Sequence, residues 1–115
     1  MVNEKNNTCY IALKCRHYVK KLFYEDIILI EKCYRNILFM TVDDMIKIRG
    51  DANDLKKFAG QSRDFYICHS YLAVNLKYVS SMEDGVISFV NGAKRSLGTK
   101  NFTKARAVFS NYISI

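Results

Sequence analysis

Short apolar runs rich in β-branched and aromatic side chains recur along this chain at close spacing: Cys9 to Cys15, Tyr18 to Tyr24, Ile27 to Glu31, Asn36 to Val42 and Met45 to Arg49. Runs this short and of this make-up predict strands rather than helices. In the last of them Met45, Lys47 and Arg49 alternate with Ile46 and Ile48, the pattern of a strand with one wet face. Asp43-Asp44 reads as the tight hairpin connection before it. The period then changes. Over Asp51 to Gly60, Leu55, Phe58 and Ala59 fall on one helical face. Asp51 or Asn53 can accept hydrogen bonds from the free amides of a first turn, and Gly60 suits a left-handed stop.

Strand-like runs resume at Phe65 to Ile67, Tyr71 to Val74 and Tyr78 to Met82. Two strong turn signals, Asp84-Gly85 and Asn91-Gly92, flank Val86 to Val90, which predicts a three-strand meander joined by tight hairpins. From Phe102 onward, Phe102, Ala105, Phe109, Tyr112 and Ile113 recur at intervals of three and four, with Lys104 and Arg106 off that stripe. A terminal helix docked by its aromatic side follows, with Thr99 or Asn101 as its cap. The sum is a mainly β, mostly antiparallel fold of about eight to ten short strands with one short internal helix and one C-terminal helix.

Size and composition narrow the classes. A chain of 115 residues, half of them apolar or aromatic, closes one modest core and is expected to form one domain over 9–115, with a poorly ordered start over 1–8. No stretch approaches the roughly 18 uninterrupted apolar residues of a membrane span, and the polar start lacks a signal-peptide core, so the chain reads as cytoplasmic. Cys9, Cys15, Cys33 and Cys68 are too few and too irregular for a disulfide scaffold and are expected to be thiols. The formal charge of +7 is unevenly placed. From Lys94 onward Lys94, Arg95, Lys100, Lys104 and Arg106 meet no acidic residue, a one-signed segment that would draw a polyanion. A solvated surface with a chance bias is the plainer account of the same residues.

The order of certain residues carries a resemblance. Phe65-Tyr66, His69-Ser70-Tyr71, Val74-Asn75, Asn91-Gly92 and Gly98-Thr99-Lys100-Asn101 before Phe102 follow one another as they do in the LytTR family of bacterial DNA-binding domains. The likeness is densest from Phe65 to Ala105 and extends more loosely back to about Ile11. It implies short antiparallel sheets stacked into an elongated body, with recognition loops at one side. It also implies that double-stranded DNA is read by loop side chains entering successive major grooves. Three contact segments carry over. The first stands between the strands around Ile30 and Leu38, with Lys32, Tyr34, Arg35 and Asn36; the second is His69-Ser70; the third is Lys100-Asn101, with Lys104 following on the helix. Family members often have Arg, Lys or Asn next to this His and Arg where Lys100 stands. Ser70 is shorter than those, and Lys100 keeps the charge but loses the two-pronged fit to guanine. The resemblance further implies a transcriptional regulator of the response-regulator, two-component kind. It would bind promoter direct repeats, with a homodimer on DNA and a receiver domain or histidine kinase upstream as partners.

Other chemistries fit less well. Cys68 and His69 are neighbours, so in an extended segment their side chains leave opposite faces and cannot act as nucleophile and base. No phosphate-cradling glycine loop precedes a helix, and neither an enzymatic activity nor a cofactor is expected. Cys15 and His17 would share a strand face, with Cys33, Cys68 or His69 as further metal ligands, but paired CxxC spacings are missing. The candidates also have plainer roles. His69 can bond a backbone carbonyl at a strand end, Asn75 reads as a turn cap, and Phe65, Tyr66, Tyr71, Tyr78 and Phe89 alternate like core residues. Lys56, Lys57 and Lys77 read as solvated. Two rival functions remain: a protein-interaction module on the same fold without base reading, and a redox-tuned regulator that senses through Cys68.

Overall fold

The computed structural model describes residues 9–114, so the expected disorder of 1–8 lies outside it. Ten strands and two helices follow in the order β1 (Tyr10–Cys15), β2 (Tyr18–Phe23), β3 (Ile27–Cys33), β4 (Asn36–Thr41), β5 (Met45–Arg49), α1 (Ala52–Ala59), β6 (Phe65–His69), β7 (Leu72–Asn75), β8 (Val79–Glu83), β9 (Val86–Phe89), β10 (Lys94–Ser96) and α2 (Thr99–Ile113). They build three antiparallel sheets: a β1–β2 hairpin, a central sheet ordered β5-β4-β3-β7-β6, and a meander ordered β10-β9-β8. The body measures 41 × 39 × 24 Å.

The central sheet is covered on both sides, which explains the unbroken apolar run at Ile27 to Ile30. One cluster joins Ile11, Leu13 and Leu22 of the hairpin and Leu55 and Ala59 of α1 to Ile27, Ile30, Ile37 and Phe39. The other joins Val79, Ile87 and Phe89 of the meander and Ala105 and Phe109 of α2 to Ile28, Leu29, Leu72 and Val74. Four consecutive residues can serve two faces because the β3–β4 register shifts between Ile27 and Leu29, a bulge that re-aims side chains.

Local chemistry sets the joints. Asp51 caps α1 by accepting from the Asp54 amide at 3.1 Å while the Asp54 carboxylate accepts from the Asp51 amide at 2.9 Å, the reciprocal box its sequence allows. Gly60 ends α1 at φ −72°, so the expected left-handed stop is not used. Asn75, only 1% exposed, donates to the Ile27 carbonyl at 2.9 Å and accepts from the Lys77 amide at 3.0 Å. It thereby caps a 3-10 turn at Leu76–Tyr78, which delays β8 to Val79. Asp84 and Gly85 both take positive φ, 52° and 80°, as a two-residue hairpin needs. At Asn91-Gly92 only Gly92 does so, at 93°. The Gly92 amide bonds back to Phe89 at 2.9 Å, giving a longer turn closed by a left-handed glycine rather than the tight hairpin expected.

Helix α2 starts at Thr99, three residues before the apolar stripe does. Its N-cap is Gly98, with no side-chain cap and no acidic residue in the first turn, so neither Thr99 nor Asn101 caps it. Ala105 and Phe109 are buried, whereas Ile113 is exposed. Among the described residues, no helix is long and apolar enough to cross a membrane.

Candidate nucleic-acid interface

Strand direction decides which turns meet. In β3, Cys33 pairs with Asn36 of β4, and Glu31 pairs with Leu72 of β7, so the Tyr34-Arg35 and Ser70-Tyr71 turns leave the same end of the central sheet. The Lys32 amide donates to the Tyr71 carbonyl at 2.9 Å across that end. Arg49, paired with Asn36, finishes β5 there too, and the Gly50 amide donates to the Arg35 carbonyl at 2.9 Å.

The third segment arrives from the other layer. α2 packs along β6, and its Tyr112 hydroxyl donates to Asp64, just before β6 begins, at 2.9 Å. The helix therefore runs antiparallel to β6, and its first turn, with Lys100 and Asn101, points toward the His69 end. Ser96, two residues before Gly98, lines a cavity of about 330 Å³ together with Lys32, His69, Tyr71 and Arg95. A neighbouring cavity of about 320 Å³ shares Lys32 and adds Tyr34, Arg35 and Arg49. The two form one flank on which Lys32, Arg35, Arg49 and Arg95 stand with Tyr34 and Tyr71, beside the carboxylates of Glu31, Asp51 and Asp54.

The fold has a solved neighbour. The chain superposes with a TM-score of 0.70 on the LytTr DNA-binding domain of a Bacillus cereus protein described as a methyl-accepting/DNA response regulator. The match covers 90% of this chain and 97% of that one at 12% sequence identity. The fold is that of a LytTR-type domain. No family model matches the sequence, and no curated protein matches it.

On this LytTR fold the connecting loops are shorter than the sequence suggested. Lys32 belongs to β3 and Asn36 to β4, leaving Tyr34-Arg35 as the whole turn; His69 ends β6. Tyr34 sits at φ 57°, a left-handed conformation that costs a non-glycine residue about 1 kcal/mol, and its ring is 87% exposed. Lys32 Nζ donates to the Tyr34 carbonyl and lies 5.5 Å from the Tyr71 ring centre. Arg35, Ser70, Lys100 and Lys104 are exposed; Asn36, His69 and Asn101 are half-buried.

His69 does not bond a backbone carbonyl. Its Nδ1 accepts from the Tyr71 amide at 3.1 Å, which puts the ring proton of the neutral form on Nε2. That leaves a donor suited to N7 or O6 of a guanine edge. The first-turn amides of α2 have no side-chain cap and no acidic neighbour in that turn, and Lys100 stands among them.

Tyr71 is the clearest misreading. Expected in the core, it is 56% exposed, because it occupies a turn, where strand alternation does not apply. Arg49 and Arg95 also lie on the flank and were not among the expected contacts. Arg49 is on the wet face of its strand, but its pairing with Asn36 is a matter of register. Lys56, Lys57 and Lys77 are exposed, as expected.

The other chemistries weaken. All four cysteines carry free thiols. Cys68 is buried, and burial pushes its thiol up to about 12, which suppresses the thiolate that redox sensing needs. His17 lies in the β1–β2 turn rather than on a strand face with Cys15. Among the described residues no three His, Cys, Asp or Glu side chains gather as a metal site would require.

Proposed function

We propose that residues 9–115 form a domain that binds double-stranded DNA in a sequence-dependent way and acts as a cytoplasmic transcriptional regulator. The observation that carries this reading is that the first two segments, and the strand end Arg95-Ser96 that leads to the third, meet on one flank of a LytTR-type fold, rich in Lys, Arg and Tyr. Lys32, Arg35 and Asn36 form the first contact, His69 and Ser70 the second, and Lys100, Asn101 and Lys104 the third. Arg35 and His69 supply base-edge donors, while Lys32, Lys100, Lys104 and the free amides of α2 hold phosphates. The Bacillus cereus neighbour is a DNA-binding domain of a response regulator, which supports DNA as the partner. Two copies on a promoter direct repeat, under an upstream receiver domain or histidine kinase, complete the proposal.

A mobility-shift assay with salt titration tests it. His69→Ala should reduce the preference for a selected duplex over random DNA by about tenfold while total affinity changes less. Lys104→Ala should weaken both duplexes alike and flatten the salt dependence by about one unit of slope. An unaltered preference in His69→Ala would remove the second contact.

The exposed rings of Tyr34 and Tyr71 favour one rival, a protein-binding flank, since exposed tyrosines anchor protein interfaces. Indifference to any duplex at low salt would select that reading.

A further inference from the structure

Arg95 and Glu31 join the two layers that carry the contact segments. Arg95 lies on the meander strand β10 and Glu31 on β3 of the central sheet. Arg95 Nε donates to Glu31 Oε2 at 2.9 Å and Nη2 to Oε1 at 3.0 Å, while Nη1 donates to the Lys94 carbonyl at 2.8 Å. The pair is 27% and 26% exposed and is the one side-chain ion pair among the described residues. The rest of that inter-layer contact is largely apolar, and its other side-chain hydrogen bonds, from Tyr112 to Asp64, Asn91 to Met40 and Tyr78 to the Glu25 carbonyl, lie at the opposite end. Apolar packing is non-directional and tolerates small slides, whereas a two-pronged guanidinium–carboxylate contact fixes distance and angle.

What lies on either side of the pair gives it a role. Glu31 precedes Lys32 and pairs with Leu72, directly after the Ser70-Tyr71 turn. Arg95 precedes Ser96, Leu97 and Gly98, the short run into the first turn of α2. Leu97 is anchored by its side chain in the core and by its amide on the Gly85 carbonyl at 2.9 Å. A shift of β10 along β3 would therefore move Lys100 and Asn101 relative to Lys32, Arg35 and His69. Glu31 also places a carboxylate on a flank meant for a polyanion, and Arg95 neutralises it.

We propose that Arg95 and Glu31 are positioning residues that set the spacing between the third contact segment and the first two. This inference rests on the DNA reading above. It makes two effects separable. Loss of either partner loosens the spacing, and loss of Arg95 alone also leaves an unpaired carboxylate facing DNA.

The test uses the whole chain and a duplex that the protein itself enriches from a random pool, with versions lengthened or shortened by one base pair between contacted bases. In Arg95→Gln and Glu31→Gln, hydrogen exchange at the Leu97 and Phe102 amides should speed up about tenfold, and the preference for native over altered spacing should narrow about tenfold. Exchange at the amides of β1 should not change. Arg95→Gln should bind every duplex more weakly than Glu31→Gln does. Arg95→Lys keeps the charge without the fork and should shift spacing preference in the same direction, even if a glutamine variant folds poorly. A wild type that discriminates spacing, with Arg95→Gln and Arg95→Lys discriminating equally well and exchange unaltered, overturns this inference alone. A wild type that enriches no duplex overturns the DNA reading and this inference with it.

Discussion

Asn75, read from the sequence as a turn cap, shows how one buried side chain can serve architecture twice. Its amide satisfies the Ile27 carbonyl at the start of β3 and its oxygen holds the Lys77 amide, so both ends of the side chain are used inside the fold. Asn75→Ala should leave the buried Ile27 carbonyl and the partly buried Lys77 amide unpaired and cost about 2 kcal/mol in urea unfolding, with the proposed contact flank chemically unaltered. Cys68 and Tyr24 make a second prediction at this scale. Burial raises both groups to about 12. The unfolded chain then releases these protons at lower pH than the folded one. Their contribution is complete below about pH 9, where the unfolded thiol titrates, and is lost as pH rises toward 12. Thermal melts should fall across that alkaline window, and Cys68→Ser should flatten part of the fall.

Elements were legible where period or turn chemistry was strong. The β-branched runs gave β1 to β5 within one or two residues, Asp51 and Leu55 located α1, and Asp84-Gly85 set the β8–β9 hairpin. The contact flank was only partly legible, because it depends on pairing between distant strands. Nothing local says that Arg49 faces Asn36, that Arg95 reaches Glu31 across 64 residues, or that Tyr71 leaves the ladder one residue early. The first turn of α2 was missed because apolar period was used to find a helix whose first turn is polar and uncapped. The β5–α1 joint gives a test at this scale. A Cβ on Gly50 would lie 2.8 Å from Ile37 Cγ1 and 3.0 Å from Asp54 Oδ2. Gly50→Ala should therefore cost about 1 to 3 kcal/mol and speed hydrogen exchange in α1 before it does so in α2.

At the scale of the molecule, a central sheet covered on both faces holds the turns of two layers at one end, so the recognition proposed above needs no helix lying in a groove. That leaves the far end, with Asp43-Asp44 on the β4–β5 connection and Asp26 just before β3, away from the contact segments. The decisive measurement is amide NMR mapping of the protein titrated with a duplex it has enriched from a random pool. The account predicts shifts concentrated at 32–36, 69–71 and 99–104, with the amides of Asp26, Asp43 and Asp44 unmoved. Shifts centred on that acidic end, or a protein that enriches no duplex and shows no shifts, would contradict it.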